Sequence, residues 1–405
     1  MKRILCTVMF GAAFAVLVAA CAKTESVNQN ELETQALAVW IKNNAPNAQK
    51  LGDSGIYYEV LDDNGVGSSA KVDVKGKWID VDYVMRDLEG DIYYSRDENT
   101  ARLLGAYTPY AHYITNRLYI ATKSSATNIP AGLYEAMTNI VPGQMWRLYI
   151  PSHLAFGSSG FGIVPGFGSK AMPGNAPVVL DSLMISDIID NPMQKATEDL
   201  VAFVSAPEPE GWGIGPGDSI MKGYYMDIIR RVNDKDTIPM NQNAYVYYKV
   251  RFLDGTLLYS NVDTVLNNNF GSVRSGDLTS PISITRMSTT PYNGNQMPAK
   301  VFYKVIDRLC YGDMVRLAVS PEYAYYWKFM EPNMDDTQWQ SSTNFIFNDL
   351  GVDYSEYTAD AKDSNFGYAS FYTPSTSSSV TTPIAEVKPY TPLVYEIYVV
   401  RPDNQ

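Results

Sequence analysis

The chain has 405 residues, 45% of them hydrophobic and 19% charged, which gives enough apolar material for a folded core and excludes a disordered chain. Lys plus Arg total 32 against 44 Asp plus Glu, a formal charge of −12, which argues against a general nucleic-acid binder because that activity needs a basic footprint. Two histidines and three cysteines are too few for His-based metal sites, Cys/His zinc modules or a disulfide scaffold, so the sequence implies no metal and no cofactor.

At about 150 residues per domain, the length suits two or three domains. Residues 1–20 carry the marks of a targeting segment. Lys2 and Arg3 precede an uncharged apolar run, Ile4 to Ala20, that ends in small residues before Cys21. Val18-Ala19-Ala20-Cys21 resembles a bacterial lipobox, a likeness that implies cleavage before Cys21 and a lipid on its side chain. The alternative is a transmembrane anchor, but 17 residues sit at the lower limit for a span and polar sequence follows at once. A lipid on Cys21 would tether the protein to the bacterial cell envelope, at a membrane face the sequence does not fix. Residues 21–31 then read as a polar tether, and Cys310 is left without a disulfide partner.

Residues 32–43 read as an amphipathic helix with Leu32, Ala36, Leu37, Trp40 and Ile41 on one face. Strands are expected at Gly55 to Val60 and Ile79 to Met85, a helix at Ala131 to Ile140, and further strands at Trp146 to Ile150 and Val178 to Ile189.

The same order then returns. Gly55-Ile56-Tyr57-Tyr58 has a counterpart in Lys222-Gly223-Tyr224-Tyr225. Tyr83 lies seven before Gly90 and Tyr248 seven before Gly255, each glycine followed by Tyr-Ser four and five positions on. Gly143, Arg147 and Leu148 precede Phe156 by 13, 9 and 8 positions, as Gly312, Arg316 and Leu317 precede Tyr325. Val178-Val179-Leu180-Asp181 matches Leu393-Val394-Tyr395-Glu396. Several matches in one order mean an internal duplication. The expected organisation is one domain over 32–191 and a divergent copy over 192–405, the second enlarged by a long insertion at about 328–389. Loops of that length are functional or mobile.

Ile129-Pro130-Ala131-Gly132-Leu133, continuing through Pro142-Gly143 to Ile150-Pro151 and Leu154-Ala155-Phe156-Gly157, resembles the bacterial FKBP-type peptidyl-prolyl cis-trans isomerases. The likeness spans about 55–190. The second copy, about 220–401, joins it mainly through the repeat. The resemblance implies an α+β fold of two domains, each a twisted antiparallel β-sheet wrapped on a short α-helix. It also implies a cup lined by Tyr83, Tyr93, Ile129, Leu133, Phe156 and Leu180, with Leu133 as its floor, although each aromatic could equally be core. Tyr248, Leu258, Tyr259, Phe302, Tyr325 and Tyr395 are the second-copy counterparts.

An X–Pro bond rotates over a barrier of about 18–20 kcal/mol. A dry aromatic cup lowers that barrier by removing the water that favours the planar amide and by binding the twisted state. The resemblance therefore implies proline-containing peptides or unfolded exported proteins as partners. Two positions depart from the family. Efficient members carry an aspartate where this chain has Tyr94 (Tyr259 in the second copy), and the hydroxyl of the family's pocket tyrosine is absent at Phe156. Each lost polar contact costs about 1–3 kcal/mol. Two readings follow: an envelope isomerase or chaperone, and an FKBP-like adaptor without turnover. An open cup favours the first; a cup filled by Tyr94 or covered by the Gly157 to Gly174 loop favours the second. His112 and His153 read as surface or loop residues, and Cys310 as buried and inert.

Overall fold

The computed structural model describes residues 28–67, 72–108, 111–120, 122, 129–164, 166–207, 212–262, 265, 281–286, 301–302, 304–321, 323 and 390–402. Residues 1–20, Cys21, most of the tether, Tyr325 and the 328–389 insertion lie outside the described residues, as does the side chain of Tyr259.

Helix α1 (Gln29–Asn44) opens on Asn28, whose side chain accepts from the Asn30 amide and so satisfies one of the orphan donors of the first turn. It buries Leu37 and Ile41 against Tyr57, Tyr149 and Val179. Leu32 is 51% exposed and Ala36 also faces solvent, so the buried stripe is narrower than the sequence pattern implies. Strands β1 (Gln49–Leu51), β2 (Ile56–Asp62), β3 (Lys77–Arg86) and β4 (Ile92–Ser95) follow, then helix α2 (Glu98–Leu103), strand β5 (Asn116–Ile120) and helix α3 (Ala131–Met137). Strands β6 (Met145–Ile150) and β7 (Val178–Ile189) complete the first antiparallel sheet. Its strand order is β1-β2-β6-β7-β3-β4, with β5 paired to β3. Alternation along β3 buries Ile79, Val81, Tyr83 and Met85 towards α3.

Helix α3 is shorter than the pattern through Ile140 implies. The Thr138 hydroxyl donates to the carbonyls of Tyr134 and Glu135, and the Asn139 amide to that of Glu135. These side chains satisfy the last-turn carbonyls and end the helix, while Ile140 stays buried beyond it.

Helix α4 (Pro192–Ser205) leads into a second set: β8 (Ser219–Met221), β9 (Tyr224–Arg230), β10 (Asn243–Arg251), β11 (Leu257–Ser260), β12 (Ile282–Thr285), β13 (Met314–Val319) and β14 (Leu393–Val400). The order is β8-β9-β13-β14-β10-β11, with β12 on β10, which reproduces the first sheet strand for strand. Strands β2 and β9 share one burial sequence, buried at their first two positions and exposed at the last three. That register pairs Gly55 with Gly223, both with positive φ, and not with Lys222 as the sequence match suggests. The leading helices repeat too: Leu200 and Val204 of α4 cover Tyr225, Ala318 and Val394, as Leu37 and Ile41 cover Tyr57, Tyr149 and Val179. Among the described residues, the elements that both copies share are one leading helix and seven strands.

Candidate functional site: a closed aromatic cup

Helix α3 brings Leu133 under the sheet. Gly132 makes this possible, since a Cβ there would overlap the Ile150 side chain and crowd the Leu154 carbonyl. Leu133 is 1% exposed and joins Tyr83, Tyr93, Tyr94, Ile129 and Leu180 in one buried cluster, with Phe156 packed against its edge. The structure therefore brings the first-copy residues named from the sequence together.

Tyr94 sits opposite Met85 in the β3–β4 hairpin and points inward. It is 3% exposed. Its hydroxyl donates to Asn116 Oδ1 at 2.9 Å and accepts from Arg96 Nε at 2.8 Å. Its ring lies 5.6 Å from that of Tyr83, 6.0 Å from Phe161 and 5.9 Å from Phe167. An aspartate expected at this position would aim a charge into the cup; Tyr94 fills the space and uses its hydroxyl to tie β4 to β5.

Tyr93 is also buried. Its hydroxyl donates to Asp87 Oδ2 at 2.9 Å. Burial, reinforced by that hydrogen bond and the Asp87 charge, pushes the Tyr93 hydroxyl up to about 12. Lys170 lies over the ring at 4.7 Å from its centroid and also pairs with Asp91.

The loop after β6 covers what remains. Phe161, Val164, Phe167 and Met172 all pack into the same cluster. Phe161 meets Phe156 at 4.9 Å between ring centroids. The Ser95 amide donates to the Phe167 carbonyl at 2.9 Å, which fastens the loop to the end of β4. Of the two arrangements left open by the sequence, the cup is thus closed, because the loop supplies apolar side chains of its own. Gly157 to Ser159 form a 3-10 turn within this loop.

The second cup is packed as well. Tyr248 lies 5.7 Å from Phe302, and Phe302 lies 6.0 Å from Tyr395, all with Leu258 in one buried cluster. Tyr224 is buried among them and donates to the Val301 carbonyl at 2.6 Å. Its hydroxyl is pushed well above its ordinary value by desolvation.

Other residues fall into place around these centres. His112, in a loop as expected, is buried and not at the surface. Its ring stacks on Phe252 at 3.8 Å, and Nε2 lies 2.8 Å from Asp254 Oδ2. Burial would raise the Asp254 carboxyl, but the hydrogen bond and charge of His112 outweigh it and hold the group down to about 2. Half-buried His153 lies 3.7 Å from Glu33, whose carboxylate accepts from both the Ser152 amide and hydroxyl. Cys310 is free and buried, and burial pushes its thiol up, which makes it unreactive. Among the described residues, no cluster of His, Cys, Asp and Glu could hold a metal ion.

The sequence offers the Gly157 to Gly174 loop as a possible cover but not the apolar side chains that the loop contributes. Phe161, Phe167 and Met172 stand among glycines that disguise an apolar core segment as a loose loop. Arg96 and Asn116 gave no signal, because their role depends on β4 and β5 both pairing with β3.

No family profile and no curated protein sequence matches the chain. Solved structures do show likenesses. The three FKBP domains of wheat FKBP73 align at 14% identity and TM-score 0.25, covering 87% of this chain and 98% of that one. A peptidyl-prolyl cis-trans isomerase from Pseudomonas syringae aligns at 19% identity and TM-score 0.26, covering 39% of this chain and 95% of its own. FkpA from Escherichia coli aligns at 18% identity and TM-score 0.27, covering 46% and 72%. At these scores the likenesses carry nothing about function.

Proposed function

We propose that this chain is a lipid-anchored binding protein of the bacterial cell envelope, an adaptor on an isomerase-like fold without constitutive turnover. Its clients are proline-containing segments of unfolded exported proteins. The observation that carries this reading is Tyr94, buried where the resemblance calls for an aspartate, with its hydroxyl committed to Asn116 and Arg96. Phe161 and Phe167 against its ring support it further. A cup so filled has no room to desolvate and twist an X–Pro bond. The anchor rests on Val18-Ala19-Ala20-Cys21, outside the described residues, and no helix among the described residues is long and apolar enough to cross a membrane.

Exchange NMR on an Ala-Leu-Pro-Phe peptide tests this reading. With the full chain in detergent micelles, the cis-trans exchange rate is expected to stay at the peptide's uncatalysed value. Acceleration in proportion to protein concentration would replace the adaptor by an isomerase.

A further inference from the structure

The loop that closes the first cup is a self-contained unit. Its two ends meet, with the Asn175 amide donating to the Gly157 carbonyl at 2.7 Å. Both end residues have positive φ, 56° at Gly157 and 58° at Asn175. Inside, Phe161 and Met172 exchange reciprocal backbone hydrogen bonds of 3.0 and 2.8 Å. A Cβ at Gly160 would overlap the Met172 carbonyl, and one at Gly174 the Ser158 carbonyl, so the loop is also tightly packed on itself. A compact loop with joined ends and its own bonds keeps its shape when it moves.

Polar contacts among the described residues also seat the loop on the cup. They include the Ser95 amide on the Phe167 carbonyl, the Tyr113 hydroxyl on the Gly166 carbonyl at 3.0 Å, and the Lys170–Asp91 pair at the rim. Gly168 lies so close to β4 that a Cβ there would overlap the Tyr93 carbonyl oxygen, a backbone atom that cannot give way. Seating thus requires a glycine at 168, although φ there is not in the left-handed region. Gly162 is the internal contrast: it has nothing within 4 Å of a built Cβ.

We propose that residues 157–174 are an autoinhibitory plug: a segment of this chain that occupies the aromatic cup, is seated through Gly168, and must lift before a proline-containing segment can enter. The proposal rests on the reading of the cup as a latent site in an adaptor. Lifting the plug removes Phe161, Phe167 and Met172 from the cup and leaves Tyr94, so the exposed site binds without turning its ligand over.

The test compares the full chain with Gly168→Ala and Gly162→Ala in detergent micelles, using the Ala-Leu-Pro-Phe peptide as probe and its NMR shifts and line widths as readout. Gly168→Ala is expected to bind the peptide at least about tenfold more tightly than the unaltered chain, with Gly162→Ala unchanged. A Gly168→Ala protein that melts cooperatively yet binds no better overturns the plug, and so does an unaltered chain that binds equally well. Should Gly168→Ala fail to fold, Phe161→Ala, whose ring is partly exposed, is read with the same two outcomes. Faster exchange in the unaltered chain would instead sink the adaptor reading, so the two failures are distinguishable.

Discussion

Phe167→Ala is expected to destabilise the first unit by about 3–5 kcal/mol, the range for deleting a buried aromatic from a packed core. The Phe167 ring is 2% exposed, lies 5.5 Å from Tyr113 and carries the Arg96 guanidinium 4.6 Å from its centroid. Truncation opens a void between Tyr94 and the loop and removes a cation–π contact. The neighbouring Ile163 is a built-in control, since it belongs to the same loop but is 56% exposed. Ile163→Ala should change stability by no more than about 0.5 kcal/mol. Denaturant melts of both variants check the pair. Equal small effects would mean that the loop lies over the surface and plugs nothing.

Asp313→Ala should cost the second unit about 1–3 kcal/mol, the penalty for leaving the buried Cys310 amide without its acceptor, since the partly exposed Arg231 guanidinium returns to water. Asp313 is fully buried. Its carboxylate accepts from Arg231 Nε at 3.1 Å, from Arg231 Nη2 at 2.7 Å and from the Cys310 amide at 2.8 Å. The hydrogen bond to Asp313 is the main cause that raises the Arg231 guanidinium above its ordinary value. Without Asp313 the Cys310 amide loses its acceptor and Arg231 keeps only the Arg308 carbonyl. A double-mutant cycle with Arg231→Ala, read by denaturant melts, should show strong coupling between the two positions. Additive losses would mean that the pair contributes nothing specific. The first copy answers the same position differently: Gln144 accepts from Trp146 Nε1 at 3.0 Å, a neutral bond in place of an ion pair.

Much of this fold is legible in the sequence because strand alternation is a local signal. The ends of β7 and the start of α3 fall where the pattern puts them, and the matched glycines and arginines align β6 with β13. Helix α4 was legible but passed over. Asn191 caps it, Pro192 opens it, and Ala196, Leu200, Phe203 and Val204 form its buried stripe. The apolar signal was masked by the reading of Asn191-Pro192 as a junction. Short strands such as β5 and β12 gave no clear pattern, since they exist through pairing with β3 and β10. The candidate site divides in the same way. Residues on strands and helix, such as Tyr83 and Leu133, lie in segments that alternation and helical spacing pick out, and their place in the cup is what the resemblance implies. The Gly157 to Gly174 loop is legible only as a possible cover and not as a packed one, because glycine at 160, 168 and 174 answers close backbone approach, a tertiary demand that looks like flexibility in sequence.

The closed cup is tested most directly by native-state amide hydrogen exchange on the full chain, followed at Ser95, whose amide holds the loop down on β4. The closed cup predicts exchange slowed about a thousandfold or more relative to free amides, equivalent to roughly 4 kcal/mol of opening free energy. Exchange at the rate of an exposed loop would contradict it, and would leave Tyr83, Tyr93 and Leu133 open to solvent and to a proline.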